Sequence, residues 1–140
     1  MNAKFKALEK PVIAVLGAGH GGMAMAGHLA MMGFEVNLFN RGDERLWGVR
    51  SSGGIELTGE VVGFGPIKMA TTSMEEALSN ANLIMVVVPA LAHRWIAVQA
   101  APFLRDGHII VLHPGRTLGA LEFKQVLASL KVTADVIISE

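Results

Sequence analysis

The sequence predicts an α/β domain: a doubly wound, mostly parallel sheet with a small β-hairpin insert. Three observations predict it. Short apolar runs alternate along the chain with segments of helical period, the pattern of βα units rather than of hairpins alone. The first apolar run passes into the first helix through a Gly-rich turn, Gly17 to Gly22. The chain has 140 residues, 51% of them hydrophobic and only 17% charged, which suits one domain with a real core and excludes a disordered tail.

Pro11-Val-Ile-Ala-Val-Leu16 is short and nearly continuous in apolarity, as a strand buried on both faces should be. Gly19 to Met32 reads as a helix, with Gly22, Ala26, Ala30 and Gly33 forming a small-residue face and Gly33 as the stop. Glu35 to Phe39 is the second strand. Residues 40–53 are a polar stretch, and Ile55–Leu57 and Val61-Val62, separated by Thr58-Gly59-Glu60, read as a hairpin. Ser73-Met-Glu-Glu76 has the capping-box pattern and opens a short helix with Met74, Ala77 and Leu78 inward. Leu83 to Val88 is the most apolar strand, and Ala90 to Ala101 a helix stopped before Pro102. His108 to Leu112 is a strand, Thr117 caps a helix running to about Leu130, and Val136 to Ile138 is the last strand.

Lys plus Arg equals Asp plus Glu at 12 each, so no basic excess points to nucleic acid or an anionic membrane. No cysteine is present, which removes disulfides, thiolate metal sites and Cys nucleophiles and fits a cytoplasmic protein. The longest strongly apolar run, Leu83 to Ala92, contains Pro89 and falls short of the roughly 20 residues a spanning helix needs. Residues 1–10 are charged, lack the apolar centre of a signal peptide, and read as a mobile arm before a domain over residues 11–140.

Gly17-Ala18-Gly19-His20-Gly21-Gly22 fits G-x-G-x-x-G between a strand and a helix, with a second strand at the right distance. In that Rossmann-type context Gly17 permits the tight turn, Gly19 lets the backbone approach a pyrophosphate, and Gly22 allows close helix–strand packing. The helix start, through Met23, offers N–H groups and a positive dipole end to phosphates. The second strand ends Phe39-Asn40-Arg41, where an NAD site usually has an acid. Arg41 can pair with a 2′-phosphate or stack on adenine, which tilts the expected cofactor from NAD towards NADP; the other reading is a solvated loop charge. Asp43 and Glu44 temper the tilt.

VLGAGHGGMAMAGHLAMMGFEVNLFNR, VVVPALAHR and HPGRTLGALEF together resemble the cofactor-binding domain of the octopine/nopaline (opine) dehydrogenase family, from Val12 onward. Pro89-Ala-Leu-Ala-His-Arg94 and Pro114-Gly-Arg-Thr117 are the most specific parts. The resemblance implies NAD(P)H-dependent reduction of an imine formed from an α-keto acid and an amino compound. It also implies a helical domain carrying the catalytic His and Asp, expected after residue 140. His20 and His113 stand where relatives are expected to have Asn.

The switch-point rule sets Val88, Pro89 and Ala90 near a nicotinamide, although Pro89 also suits a helix start. His93 has two readings, a packed helix histidine or a contact near nicotinamide or substrate; Trp95 and Ile96 read as core. His113, Pro114 and Arg116 follow the fifth sheet strand on the ligand side. Arg116 suits a carboxylate or phosphate, or else holds its loop through backbone carbonyls. Neither His93 nor His113 has a carboxylate partner nearby in sequence; Glu140 is a candidate, provided the last strand lies beside the fifth. His28 and His108 read as structural, and the five histidines lack metal-site spacing. No nucleophile–base pair is visible, so the expected catalytic residues in this chain are none, with His93, His113 and Arg116 as substrate-side contacts. Turnover is not expected of the domain alone.

Two alternatives remain. One is a related reductase of glycerol-3-phosphate, ketopantoate or 6-phosphogluconate type. The other is a non-catalytic nucleotide-sensing module, although such modules usually keep the acid that Asn40 replaces. The expected partners are small molecules, an amino acid and an α-keto acid, with no nucleic acid or membrane; a homodimer is among the assemblies the sequence allows.

Overall fold

The computed structural model describes residues 10–140; all of the expected N-terminal arm but Lys10 lies outside them. The elements are β1 (Ile13–Leu16), α1 (His20–Met31), β2 (Val36–Phe39), α2 (Trp47–Ser52), β3 (Gly54–Leu57), β4 (Gly63–Pro66), β5 (Met69–Thr71), α3 (Met74–Leu78), β6 (Leu83–Val86), α4 (His93–Ala100), β7 (Ile109–Leu112), α5 (Gly119–Ser129) and β8 (Ile137–Ser139). Single 3-10 turns, Ala90–Ala92 and Ala101–Phe103, flank α4. The main sheet has six strands in the order β5-β2-β1-β6-β7-β8, all parallel, and β3-β4 form a separate antiparallel pair. The chain winds from β1 to one side, then returns to β6 on the other. The switch point therefore lies between the carboxyl ends of β1 and β6, where doubly wound sheets bind ligands.

The inner strands are apolar apart from Asn37 of β2, because helices cover the sheet. Ala14, Leu16, Ile84, Val86, Ile110 and Leu112 pack with Ala77 and Leu78 of α3, Ile96 and Ala97 of α4, and Phe123, Val126 and Leu127 of α5. Ile13, Val15, Val36 and Leu38 cluster on the other side with Ala26 and Ala30 of α1, and with Leu46, Val49 and Ile55. Each fully buried Leu or Ile contributes about 1.5–3 kcal/mol of hydrophobic free energy, so these two clusters supply the main drive to fold.

The small-residue face of α1 is buried at Gly22, Ala26, Gly27 and Ala30. The hairpin lies across it. A side chain at Gly65 would collide with the Gly27 carbonyl oxygen, and a β-carbon at Gly27 would stand 3.1 Å from Ile55 Cγ2. That contact corrects the expected second hairpin strand, Val61-Val62: β4 is Gly63–Pro66, pairing Ile55 with Gly65 and Leu57 with Gly63. Two elements were not expected. α2 forms in the polar stretch because Leu46 and Val49 are both buried there, and Gly53, at φ 75°, ends it. β5 is a three-residue edge strand paired to β2 alone. Ser73 caps α3 as expected, its Oγ accepting the Glu76 N–H at 3.3 Å, but the Glu76 carboxylate accepts from the Thr71 hydroxyl. Thr117 does not cap α5. The N-cap is Leu118 at φ 62° with no side-chain cap, and the Glu140 carboxylate accepts the Ala120 N–H at 2.9 Å instead.

Candidate functional site

The Gly-rich turn sits at the switch point. Gly17, at φ 117°, follows β1 and donates its N–H to the Phe39 carbonyl at 2.8 Å. A side chain there would run into the Val87 carbonyl, with Val88 Cγ1 2.7 Å from its β-carbon, and one at Gly22 would strike the Gly17 carbonyl oxygen. These two glycines let strand, turn and helix interlock. Gly19 differs: the nearest atom to its β-carbon position is Arg45 Nη1 at 3.6 Å. The first bond of α1 runs from the Met23 N–H to the Gly19 carbonyl at 2.9 Å. The N–H groups of His20, Gly21 and Gly22 thus have no acceptor inside the helix, no side chain caps it, and its first turn holds no acid. The turn offers a bare backbone surface and a positive helix end.

Asn40 ties the turn to the following loop. Its Oδ1 accepts the Ala18 N–H at 3.2 Å, and its Nδ2 donates to the Gly42 carbonyl at 2.8 Å. An aspartate could accept in the same way but could not donate to Gly42. Asp43 is paired with Arg50 at 2.6 Å, and Arg50 Nε also donates to the Ala70 carbonyl at 2.7 Å. Arg41 is exposed and lines a cleft of about 470 Å³ with Gly17, Phe39, Val88, Pro89 and Trp95. Trp95, expected in the core, is 37% exposed and stacks on Phe39 with ring centroids 6.4 Å apart; Ile96 is core as expected. The sequence reading passed over Arg45, whose Nη1 donates to the Ala18 carbonyl at 3.3 Å. Its one sequence signal is a second arginine, after Arg41, in the polar stretch that follows β2.

A second group of polar residues gathers where β6 and β7 end. His93 opens α4 fully buried, and neither ring nitrogen has a hydrogen-bond partner. Its Nδ1 lies 3.3 Å from the β-carbon position of Gly119, and Glu140 Oε2 lies 3.3 Å from that same point. β8 lies beside β7, which brings Glu140 to this end. His113 is half-buried with Nε2 unpartnered, while Ala90, Pro114 and Arg116 are exposed and Arg116 has φ 60°.

His108 is at the opposite end of the sheet. Its Nδ1 accepts the Arg105 N–H at 3.1 Å and its Nε2 faces the Ala81 carbonyl at 3.2 Å, so the neutral ring with hydrogen on Nε2 satisfies both. Burial, then the nearby Arg105 charge, lower its pKa below the usual histidine value, against the Ala81 hydrogen bond.

A glycine turn at the switch point of a parallel doubly wound sheet, opening onto an uncapped helix, defines a dinucleotide-binding domain. The chain belongs to the family described as the NAD-dependent glycerol-3-phosphate dehydrogenase N-terminus, whose model matches residues 12–115. It is 36% identical over 121 residues to an opine dehydrogenase of Arthrobacter sp. (strain 1C), covering 86% of this chain and 34% of that one. It is 37% identical over 109 residues to a glycerol-3-phosphate dehydrogenase [NAD(P)+] of Moorella thermoacetica, covering 73% and 30%. Among solved structures it is similar to octopine dehydrogenase with NADH and pyruvate, at 26% identity and a TM-score of 0.77, covering 92% of this chain and 35% of that one. The chain thus spans about a third of the length of these relatives. No helix among the described residues is long and apolar enough to cross a membrane.

Proposed function

We propose that this chain is the cofactor domain of an opine-type dehydrogenase, which reduces an imine of an α-keto acid and an amino compound with NAD(P)H. The observation that carries the cofactor half of this reading is the bare Gly19 surface beside the uncapped start of α1. There Ala18, Gly19 and the N–H groups of His20 to Gly22 would hold the diphosphate, with Met23 on the first helical turn behind them. The apolar cleft of Phe39, Val88 and Trp95 would take the adenosine half, and Arg41 at its rim would favour NADP through the 2′-phosphate. Ala90, His113 and Pro114 would border the nicotinamide half, with Val88 and Pro89 where the two halves meet. The residues present fit the cofactor: the start of α1 has no side-chain cap and no acid in its first turn, and the bare side of Gly19 has the Arg45 guanidinium beside it. Once bound, the cofactor supplies the hydride; the chain supplies position and electrostatics.

The opine assignment is supported by the 36% identity to an opine dehydrogenase and by the Pro89–Arg94 and Pro114–Thr117 segments. Imine reduction also needs a proton donor and a closed site. In this reading a helical domain following residue 140 supplies both, while His93, His113 and Arg116 stay on the substrate side and the domain alone binds without turnover. A second reading, a glycerol-3-phosphate dehydrogenase, is favoured by the family match over residues 12–115. Calorimetry with NAD, NADH, NADP and NADPH tests the binding claim, and no heat with any of them on a folded sample overturns it. The two activities separate in an assay of this chain joined to its expected helical domain. NAD(P)H oxidation by pyruvate with amino acids is expected; oxidation of glycerol 3-phosphate alone would establish the second reading.

A further inference from the structure

We propose that Arg45 is a diphosphate clamp, a residue that pairs with the two linked phosphates of any dinucleotide seated on the glycine turn. The inference rests on the dinucleotide reading of that turn and assigns a role to a residue outside the fingerprint.

The starting point is where the guanidinium lies. Arg45 Nη1 is the nearest atom to the bare side of Gly19, 3.6 Å from the β-carbon position, and it donates to the Ala18 carbonyl at 3.3 Å. A guanidinium has five donors in a planar fork suited to two oxygens at once. A single long bond to one neutral carbonyl leaves most of that capacity unused. No carboxylate among the described residues pairs with it: the loop's one ion pair is Asp43 with Arg50, and Glu44 makes none. Arg50 is anchored to β5 through Ala70, so Asp43 is held towards that edge of the sheet. Asn40 fixes the loop by bonding to both Ala18 and Gly42. Among the described residues the loop therefore presents two cations without acidic partners, Arg41 and Arg45, and they differ in place. Arg41 edges the apolar cleft, where a nucleoside fits. Arg45 stands over the turn itself, beside the unbonded N–H groups at the start of α1. An anion there meets a positive helix end on one side and a guanidinium on the other. The same placement keeps the site occupied by Arg45 and Ala18 until a phosphate takes the guanidinium over.

The two arginines are then separable by ligand. Binding of NAD, NADP, ADP and adenosine to the wild-type chain, Arg45→Ala and Arg41→Ala is measured by calorimetry, with circular dichroism to check folding. Arg45→Ala is expected to weaken NAD, NADP and ADP alike, by about tenfold to a hundredfold, with the NADP-to-NAD ratio kept and adenosine unaffected. A loss confined to NADP would reassign Arg45 to the 2′-phosphate and overturn the clamp. Equal loss for adenosine would make it a loop support, and no loss would also overturn it. If the wild type binds none of the four, the dinucleotide reading itself fails and the clamp with it. Should Arg45→Ala not fold, the Arg45 Nε–H resonance of the wild type decides: a shift with ADP but not adenosine is expected, and a resonance indifferent to ADP refutes the proposal.

Discussion

The two ends of the main sheet treat their polar groups differently. At the amino ends of the strands, polar groups are closed off by protein partners. Asn82 Oδ1 accepts the Val12 N–H, His108 bonds at both nitrogens, Arg105 reaches the Leu78 and Ala81 carbonyls, and Asp106 accepts the Asp135 N–H. At the carboxyl ends, His93 has two unpartnered nitrogens and His113 one, and α1 starts without a side-chain cap. Among the described residues, Asn37, inside β2, is the one other buried side chain with an open atom, its Oδ1. A fold leaves buried polar atoms unpaired at a cost of about 1–3 kcal/mol each. Their concentration at one end separates the part of the molecule that holds the fold from the part open to a ligand.

The largest expected effect breaks the carboxyl end alone. Gly19→Val should reduce dinucleotide binding by about a hundredfold or more, because the side chain fills the bare surface, while the melting temperature stays at the wild-type value. A melting point that falls in step with binding would show that Gly19 supports the fold. The counterpart is His108→Leu at the amino end. It strands the Arg105 N–H and leaves the Ala81 carbonyl only the longer bond from the Arg105 side chain at 3.4 Å, so urea unfolding should reveal a loss of about 1–3 kcal/mol, with cofactor affinity unchanged. The same residue gives the fold a pH dependence. Folding lowers the proton affinity of His108, so the unfolded chain binds the proton more tightly. Its contribution is complete above about pH 6.5 and is lost as the pH falls through the lowered folded-state value. A wild-type stability curve that declines on the acid side should flatten in His108→Leu; identical curves would remove His108 from the account.

Smaller effects sharpen the contrast. Arg41→Ala should weaken NADP by about tenfold more than NAD, as loss of one charge-assisted contact predicts. An equal loss for both cofactors would leave Arg41 with adenine stacking or loop support. The smallest stability effect is expected at His93. Replacing a buried imidazole that has no partner removes a desolvation cost along with some packing, so His93→Leu should change stability by less than about 1 kcal/mol. A loss as large as that of His108→Leu would erase the distinction between the two ends.

The strand–turn–helix around Gly17–Gly22 and the succession of strands and helices along the chain, β5 and α2 apart, were legible because apolar period and glycine spacing are local signals. The hairpin was legible only in its first strand. β4 reads Gly-Phe-Gly-Pro, with no alternation to find, and its register is set by Gly65 meeting Gly27 of α1. β5 was too short to show a period, and α2 has a single buried residue, Val49, with buried Leu46 at its N-cap, in a polar stretch. Trp95 was misjudged because helical spacing does not say whether a face ends at the core or at a cleft.

The sequence by itself determined the fold class, the fingerprint and the unusual Asn40-Arg41 ending of β2, since each depends on residue type at fixed short spacing. Only the tertiary structure decided which arginine stands over the turn and which edges the cleft. It alone decided that Glu140 caps α5 in place of Thr117, and that His93 is buried without a partner while His108 has two. Arg45 meets Ala18, Glu140 meets Ala120 and His108 meets Ala81 across twenty or more positions, and such contacts are set by how helices and strands pack rather than by any run of neighbouring residues.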